Sequence, residues 1–194
     1  DYDRQIGKRI RHAGNYDMGK HQGMLTLGKF GVFVSEWRVG KMLDAFHAAN
    51  SKIRLVFHAE IEEALHTHNC RLVSPHGRAR TFFNKWGSEL FKEAYSFIPQ
   101  ATVSDQVKVA MLRICKQLPW DIFKIVQESH DSFLALCKEE HAQNAIKIIN
   151  HELTQPINFT NCTLSRNFDL VIPCDIKVGR RWVSKSKAFP DGMG

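Results

Sequence analysis

The stretch Ile122-Phe-Lys-Ile-Val-Gln-Glu-Ser-His130-Asp131-Ser-Phe-Leu-Ala-Leu-Cys137 reads as a β-hairpin. Two β-prone apolar runs flank a short polar turn, and His130 and Asp131 sit in that turn. A hairpin tip is exposed and rigid, so it can hold one carboxylate against a metal ion. Asp and Ser are also common turn residues, and taken alone the segment reads first as a plain polar turn.

Working outward, the N-terminus alters that weighing. It runs Arg4-Gln-Ile-Gly7-Lys8-Arg-Ile-Arg-His12-Ala-Gly14-Asn-Tyr16. Steps of four residues advance a helix by slightly more than one turn. Arg4, Lys8, His12 and Tyr16 therefore form a gently drifting stripe on one face. The stripe carries two fixed cations, an imidazole and a phenol. It suits a triphosphate at one end and a sugar or base at the other. The bland alternative is a solvated basic face. Gly7 and Gly14 are poor choices for a helix that is merely solvated.

The remaining periodicity predicts helices first and mixed elements later. After a helix over residues 4–16, Ser35 can cap one over 36–49, with Trp37, Met42, Leu43 and Phe46 as its apolar side. Ser51 can cap another reaching residue 66, with Ile53, Val56, Phe57, Ile61 and Leu65 inward. A hairpin is expected from 72–73 and 79–83. A helix over 103–118 has Val103, Val107, Ala110, Met111, Ile114 and Leu118 at helical spacing. The 122–137 hairpin follows, then a helix over 139–153 and a strand over 168–178. This order predicts an α+β fold. Trp37, Trp86, Trp120 and Trp182 read as core residues rather than base-stacking platforms.

The charge balance points to a polyanionic partner. The 194 residues carry a formal net charge of +7, with a pI near 9.3. Basic residues crowd two places: Arg4, Lys8, Arg9, Arg11 and Lys20 near the start, and Lys177, Arg180, Arg181, Lys185 and Lys187 near the end. Five cysteines, an odd number without a Cys-x-x-Cys pair, read as reduced and mostly buried thiols of a cytoplasmic chain. His66-x-His68-x-Cys70 has no second ligand pair at zinc-finger spacing. No signal peptide or membrane-length apolar run is visible, so no membrane partner is expected.

The hairpin and the stripe together resemble motifs of the family A DNA polymerases, the bacterial DNA polymerase I type. Arg4-x-x-x-Lys8 followed by Tyr16 is similar to the family's fingers-helix motif, and His130-Asp131 to the core of its palm-hairpin motif. Three further segments match in family order. Pro75-His-Gly77-Arg78-Ala-Arg80 is similar to a Gly-Arg-x-Arg hairpin, and Gln100-Ala-Thr102-Val-Ser-Asp105 to the Gln-Gly-Thr-Ala-Ala-Asp opening of a palm helix. Val171-Ile-Pro-Cys-Asp-Ile-Lys-Val-Gly179-Arg-Arg-Trp182 resembles the closing palm strand. His12 stands where the family usually has an aromatic residue, as in a phage-like variant. Asp17 replaces the usual Gly after the Tyr, and Ser132 the usual Glu after His-Asp. The family's first catalytic carboxylate, in an Asp-Tyr-Ser-Gln-x-Glu motif well upstream of the fingers helix, has no counterpart. Asp1-Tyr2 imitates its start but lies too close to Lys8.

The resemblance implies a helical fingers subdomain over 1–84 and a partial palm over 85–194, with the catalytic hairpin packed on helices. It implies template-directed addition of deoxynucleotides to a primer 3′ end, helped by two Mg2+ ions. Asp131 would be the metal ligand, sharing the ions with an Asp from an upstream polymerase segment. Lys8 would be the catalytic cation, Arg4 would hold the outer phosphates, His12 would meet the sugar and base, and Tyr16 would stack near the templating position. Gln100, His130 and Arg78 would touch primer-template DNA. The expected setting is cytoplasmic, in a bacterium or a virus-infected host cell. The alternative is a non-catalytic nucleic-acid-binding remnant of such an enzyme. A nuclease using Asp131 is weaker, because Glu128 is the only carboxylate close to it in sequence.

Overall fold

The structure, a computed structural model, describes residues 2–184, 186–188 and 190–193, without the side chains of Tyr2 and Ser184. Asp1 and Lys185 lie outside the described residues. The expected α+β class is observed: helices dominate, and the strands pair two by two. The chain divides into two compact units, residues 1–102 with 159–166, and residues 103–158 with 167–194. This border is one of packing, and it falls later than the 84/85 border expected between the roles of fingers and palm.

The first unit opens with α1 (Tyr2–Asn15), α2 (Lys20–Gly28) and α3 (Glu36–Ala49). Ile6, Ile10 and Ala13 recur at helical spacing and bury one face of α1 against Leu27, Val32, Val39 and Leu43. A β-carbon on Gly14 would overlap the ring of Phe46, so this glycine lets α1 approach α3 closely. Gly23 does the same for α2, where a β-carbon would stand 2.9 Å from Val39 Cγ1. Ser35 caps α3 as expected, its hydroxyl accepting from the Arg38 amide at 3.3 Å. The buried side of α3 is Val39 and Leu43, however, and Trp37 is exposed.

A π-helical segment (Ile53–His58) then runs into α4 (Ala59–Thr67). The single helix expected from Ser51 therefore carries a widened turn, and its burial shifts: Ile61 and Leu65 are buried, Val56 is exposed, and His58 is buried instead. Strands β1 (Arg71–Val73) and β2 (Ala79–Thr81) form the expected first hairpin. Helix α5 (Ser88–Gln117) begins well before the expected start at residue 103 and continues through Pro99. Proline inside a helix removes one backbone bond and crowds the previous turn. Burial of Leu90, Ala94, Tyr95, Phe97, Ile98 and Ala101 outweighs that cost.

In the second unit, Ala110 and Ile114 of α5 and Leu118 just after it pack against Phe123, Ala145 and Ile149. Phe123 starts β3 (Phe123–Ser129), which pairs antiparallel with β4 (Ser132–Cys137). A short 3-10 turn (Glu139–His141) leads into α6 (Ala142–Leu153), which buries Ala145 and Ile149 and packs Ile148 and Leu153 beside them. Gln106, buried on α5, donates to the Leu153 and Gln155 carbonyls at 3.2 and 3.0 Å and so ties down the end of α6. The strand expected over 168–178 shrinks to β6 (Asp169–Leu170), paired with β5 (Ile157–Asn158). Residues 171–179 run on without a strand partner among the described residues. Strands β7 (Arg181–Ser184) and β8 (Gly192–Met193) pair in parallel.

Two composition-level expectations fail. Trp37, Trp86, Trp120 and Trp182 are each more than half exposed, not core. None of the five thiols is fully buried, and Cys115 is exposed. Large aromatic rings do not bury themselves when short helices and two-stranded ladders leave too little interior to receive them.

Candidate nucleotide and nucleic-acid site

Helix α1 sorts its two faces sharply. Arg4, Lys8 and His12 are exposed along one side, with Ile6, Ile10 and Ala13 buried on the other. The four-residue stripe is thus one surface, and the rings of His12 and Tyr16 meet edge-on at 5.0 Å. Tyr16 is partly buried against the core, and this burial raises its phenol pKa. It therefore stays a neutral, amphipathic ring at neutral pH. Gly7 faces open space.

At the Tyr16 end lies a cavity of about 230 Å³ lined by Tyr16, Met18, Gly19, Gln22 and Lys92. Lys92 brings a further cation from α5. Sequence reasoning missed Gln22 and Lys92, because α2 has no clear amphipathic period and Lys92 stands far from α1 along the chain.

The corner after Tyr16 has a particular backbone. Asp17 takes φ 53°, in the left-handed region where glycine is at home. Here Arg54 compensates: its Nη2 and Nε donate to Asp17 Oδ1 at 2.6 and 3.1 Å. One residue before Tyr16, the Asn15 carbonyl accepts from His58 Nε2 at 2.8 Å.

Arg78 is exposed beside the β1–β2 turn. The turn is held from inside. Ser74 is fully buried, its hydroxyl accepts from the Arg78 amide at 3.2 Å, and its amide donates to the Arg78 carbonyl at 2.8 Å. Gly77 supplies the left-handed residue at φ 83°. Outside the ladder, Thr163 Oγ1 accepts from the Val73 amide at 2.6 Å. Gln100 is exposed on α5, next to the buried Ala101 and Thr102.

In the second unit, His130 and Asp131 form the expected two-residue tip, framed by the Ser129–Ser132 pair, and both are exposed. Neither takes the positive φ that two-residue hairpin loops favour. Ser132 Oγ donates to the Ser129 carbonyl at 3.4 Å across the tip. Glu128 is engaged by Lys108 at 3.5 Å. The C-terminal basic cluster is partly neutralised: Arg180 Nη2 donates to both Glu139 carboxylate oxygens at 3.0 and 2.9 Å, and Arg181 pairs with Asp191 at 2.9 Å.

Among the described residues no three His, Cys, Asp or Glu side chains converge as a metal site, His66, His68 and Cys70 included. No described helix is long and apolar enough to cross a membrane. The stripe and Arg78 belong to the first unit, and the hairpin tip to the second.

No protein-family model and no curated protein sequence matches this chain. Among solved structures it is similar to the POL domain of Pol1 from M. smegmatis, in complex with DNA primer-template and dNTP. The TM-score is 0.64 at 14% sequence identity, over 78% of this chain. The match covers 27% of that chain, so this chain spans about a quarter of its neighbour's length. At that identity the likeness shows a shared fold: these α+β units are folded like part of a polymerase domain.

Proposed function

We propose that this chain is the C-terminal fingers and palm portion of a DNA-directed DNA polymerase of family A, phage-like in its nucleotide helix. The observation that carries the reading is the α1 surface. Two cations, an imidazole and a half-buried phenol share one exposed face over a buried back, in a chain folded like part of a polymerase domain.

In this reading Arg4 binds the outer phosphates of the incoming deoxynucleotide as a fork donor. Lys8 neutralises charge that develops as pyrophosphate leaves. His12 lies against sugar and base, and Tyr16, which lines the cavity, stacks by the templating position. Gln100, Arg78 and His130 hold primer-template DNA. The Asp131 carboxylate fits Mg2+ as a hard oxygen donor: it is exposed, and no ion pair holds it among the described residues. One carboxylate is too few for two ions, so an upstream segment supplies the partner Asp. When bound, Mg2+ stabilises charge on the attacking and leaving oxygens of phosphoryl transfer.

The test is nucleotide binding and single-nucleotide incorporation. A fluorescent deoxynucleotide titrated into this chain should bind, and Lys8→Ala with Arg4→Ala should abolish binding. The chain alone should not extend a primer, whereas the complete enzyme should. Primer extension by the chain alone would move the second ligand to a residue such as Asp3 or Glu128. DNA binding that falls steeply with salt, without any nucleotide binding, would instead establish the non-catalytic remnant.

A further inference from the structure

We propose that His58 is a positioning residue for the nucleotide-handling face of α1. Its hydrogen bond to the Asn15 carbonyl, braced by a stack on Tyr95, fixes the last turn of α1 and with it the ring of Tyr16. The inference rests on the reading of α1 given above and assigns that surface a support outside its own helix.

The last carbonyls of a helix lack intrahelical partners. At the end of α1 the chain answers this from two directions. The Met18 amide donates to the Ala13 carbonyl at 2.9 Å, and His58 Nε2 donates to the Asn15 carbonyl at 2.8 Å. A carbonyl only accepts, so Nε2 carries the proton of this bond. His58 is 4% exposed, and a buried imidazole is costly without such a bond.

The ring itself is braced by a stack. It lies parallel to Tyr95, with centroids 3.7 Å apart and planes 9° apart. Tyr95 is also 4% exposed, and its hydroxyl donates to Glu62 on α4. Three elements therefore hold one imidazole against one carbonyl.

The π-helical turn explains how a single segment reaches both sides of Tyr16. Residues 53–58 contribute Arg54, which clamps Asp17, and His58, which holds Asn15. Asn15 and Asp17 are the residues on either side of Tyr16. A widened turn of this kind shifts the side chains that follow it relative to a regular helix, and such turns recur at functional positions. Tyr16 packs against the core cluster to which Tyr95 belongs. Its ring thus has a fixed floor and a backbone fixed at both neighbours.

The test uses two substitutions at residue 58 and one at residue 54. His58→Phe keeps a ring to stack and removes the donor, whereas His58→Gln keeps a donor and loses the ring. Amide hydrogen exchange of Asp17 and Met18 and affinity for a fluorescent deoxynucleotide are measured on the same samples. His58→Phe should speed exchange at both amides at least tenfold and weaken nucleotide binding at least fivefold, while circular dichroism stays unchanged. His58→Gln should bring both readouts back to within threefold of wild type. Should His58→Phe lose its fold, Arg54→Gln, an exposed change, loosens the other side of Tyr16 and should speed exchange at Asp17. Exchange within twofold of wild type at both amides in a folded His58→Phe overturns the proposal, and where His58→Phe does not fold, a wild-type His58 whose Nε2 carries no proton by imidazole nitrogen NMR overturns it. Faster exchange in a protein whose wild type binds no nucleotide leaves the latch standing and removes the nucleotide reading.

Discussion

Helix α1 and the β3–β4 hairpin both offer polar chemistry to solvent, yet they are supported in different ways. Behind the stripe of α1 lie Ile6, Ile10 and Ala13, a glycine pressed onto Phe46, and a corner tied by Arg54 and His58. The hairpin is anchored at its far end, where Phe123 is buried, and its tip at His130 and Asp131 is exposed. Side chains on α1 are thus placed by tertiary packing, whereas those at the tip are placed by strand register. Substitutions behind the stripe should register as lost stability, and substitutions at the tip as lost chemistry.

The sharpest way to break this contrast is Asp131→Asn in the complete enzyme. It should lower single-turnover nucleotide addition about a thousandfold, or ~4 kcal/mol of transition-state stabilisation. Melting temperature and DNA affinity should stay at wild-type values. A rate loss under about tenfold, or a large drop in melting temperature, would remove Asp131 from the proposed role of metal ligand.

Gly14→Val tests the other side. The added atoms would overlap the Phe46 ring, and overpacking of this kind costs ~1–3 kcal/mol. Urea denaturation should show a lower midpoint at unchanged slope. Gly7→Ala, which meets nothing within 4 Å, should instead stabilise the chain by up to ~1 kcal/mol. Equal effects at both glycines would mean that α1 does not depend on close approach to α3.

Lys8→Ala and Arg4→Ala separate chemistry from binding on the same face. Lys8→Ala should slow the rate at saturating nucleotide by about ten- to a hundredfold, or ~1.4–2.7 kcal/mol. Arg4→Ala should mainly raise the nucleotide concentration required. If both merely weaken DNA binding, the stripe is a phosphate-backbone face. The smallest effect belongs to Ser35→Ala, which removes the cap of α3 and should cost ~1 kcal/mol of stability with nucleotide binding unchanged.

Local patterns in the sequence were enough for several elements. Strand alternation around a polar turn located the β3–β4 hairpin with His130 and Asp131 at its tip, and helical spacing located the face of α1, the cap at Ser35, and α6. These signals act between residues close along the chain, where period and capping chemistry decide the conformation. Helix α2 was invisible because Gly23 and Gly28 weaken its propensity, and Gly23 makes sense only beside Val39. The start of α5 was hidden by Pro99, whose local cost is overruled by a buried row from Leu90 to Ala101. The exposed tryptophans, the cavity wall at Gln22 and Lys92, and the ties from Arg54 and His58 to either side of Tyr16 depend on residues brought together from distant segments. Sequence period carries no information about such meetings. They are decided by which surfaces the packed helices bring into contact, because burial and close approach are properties of the assembled core rather than of any segment.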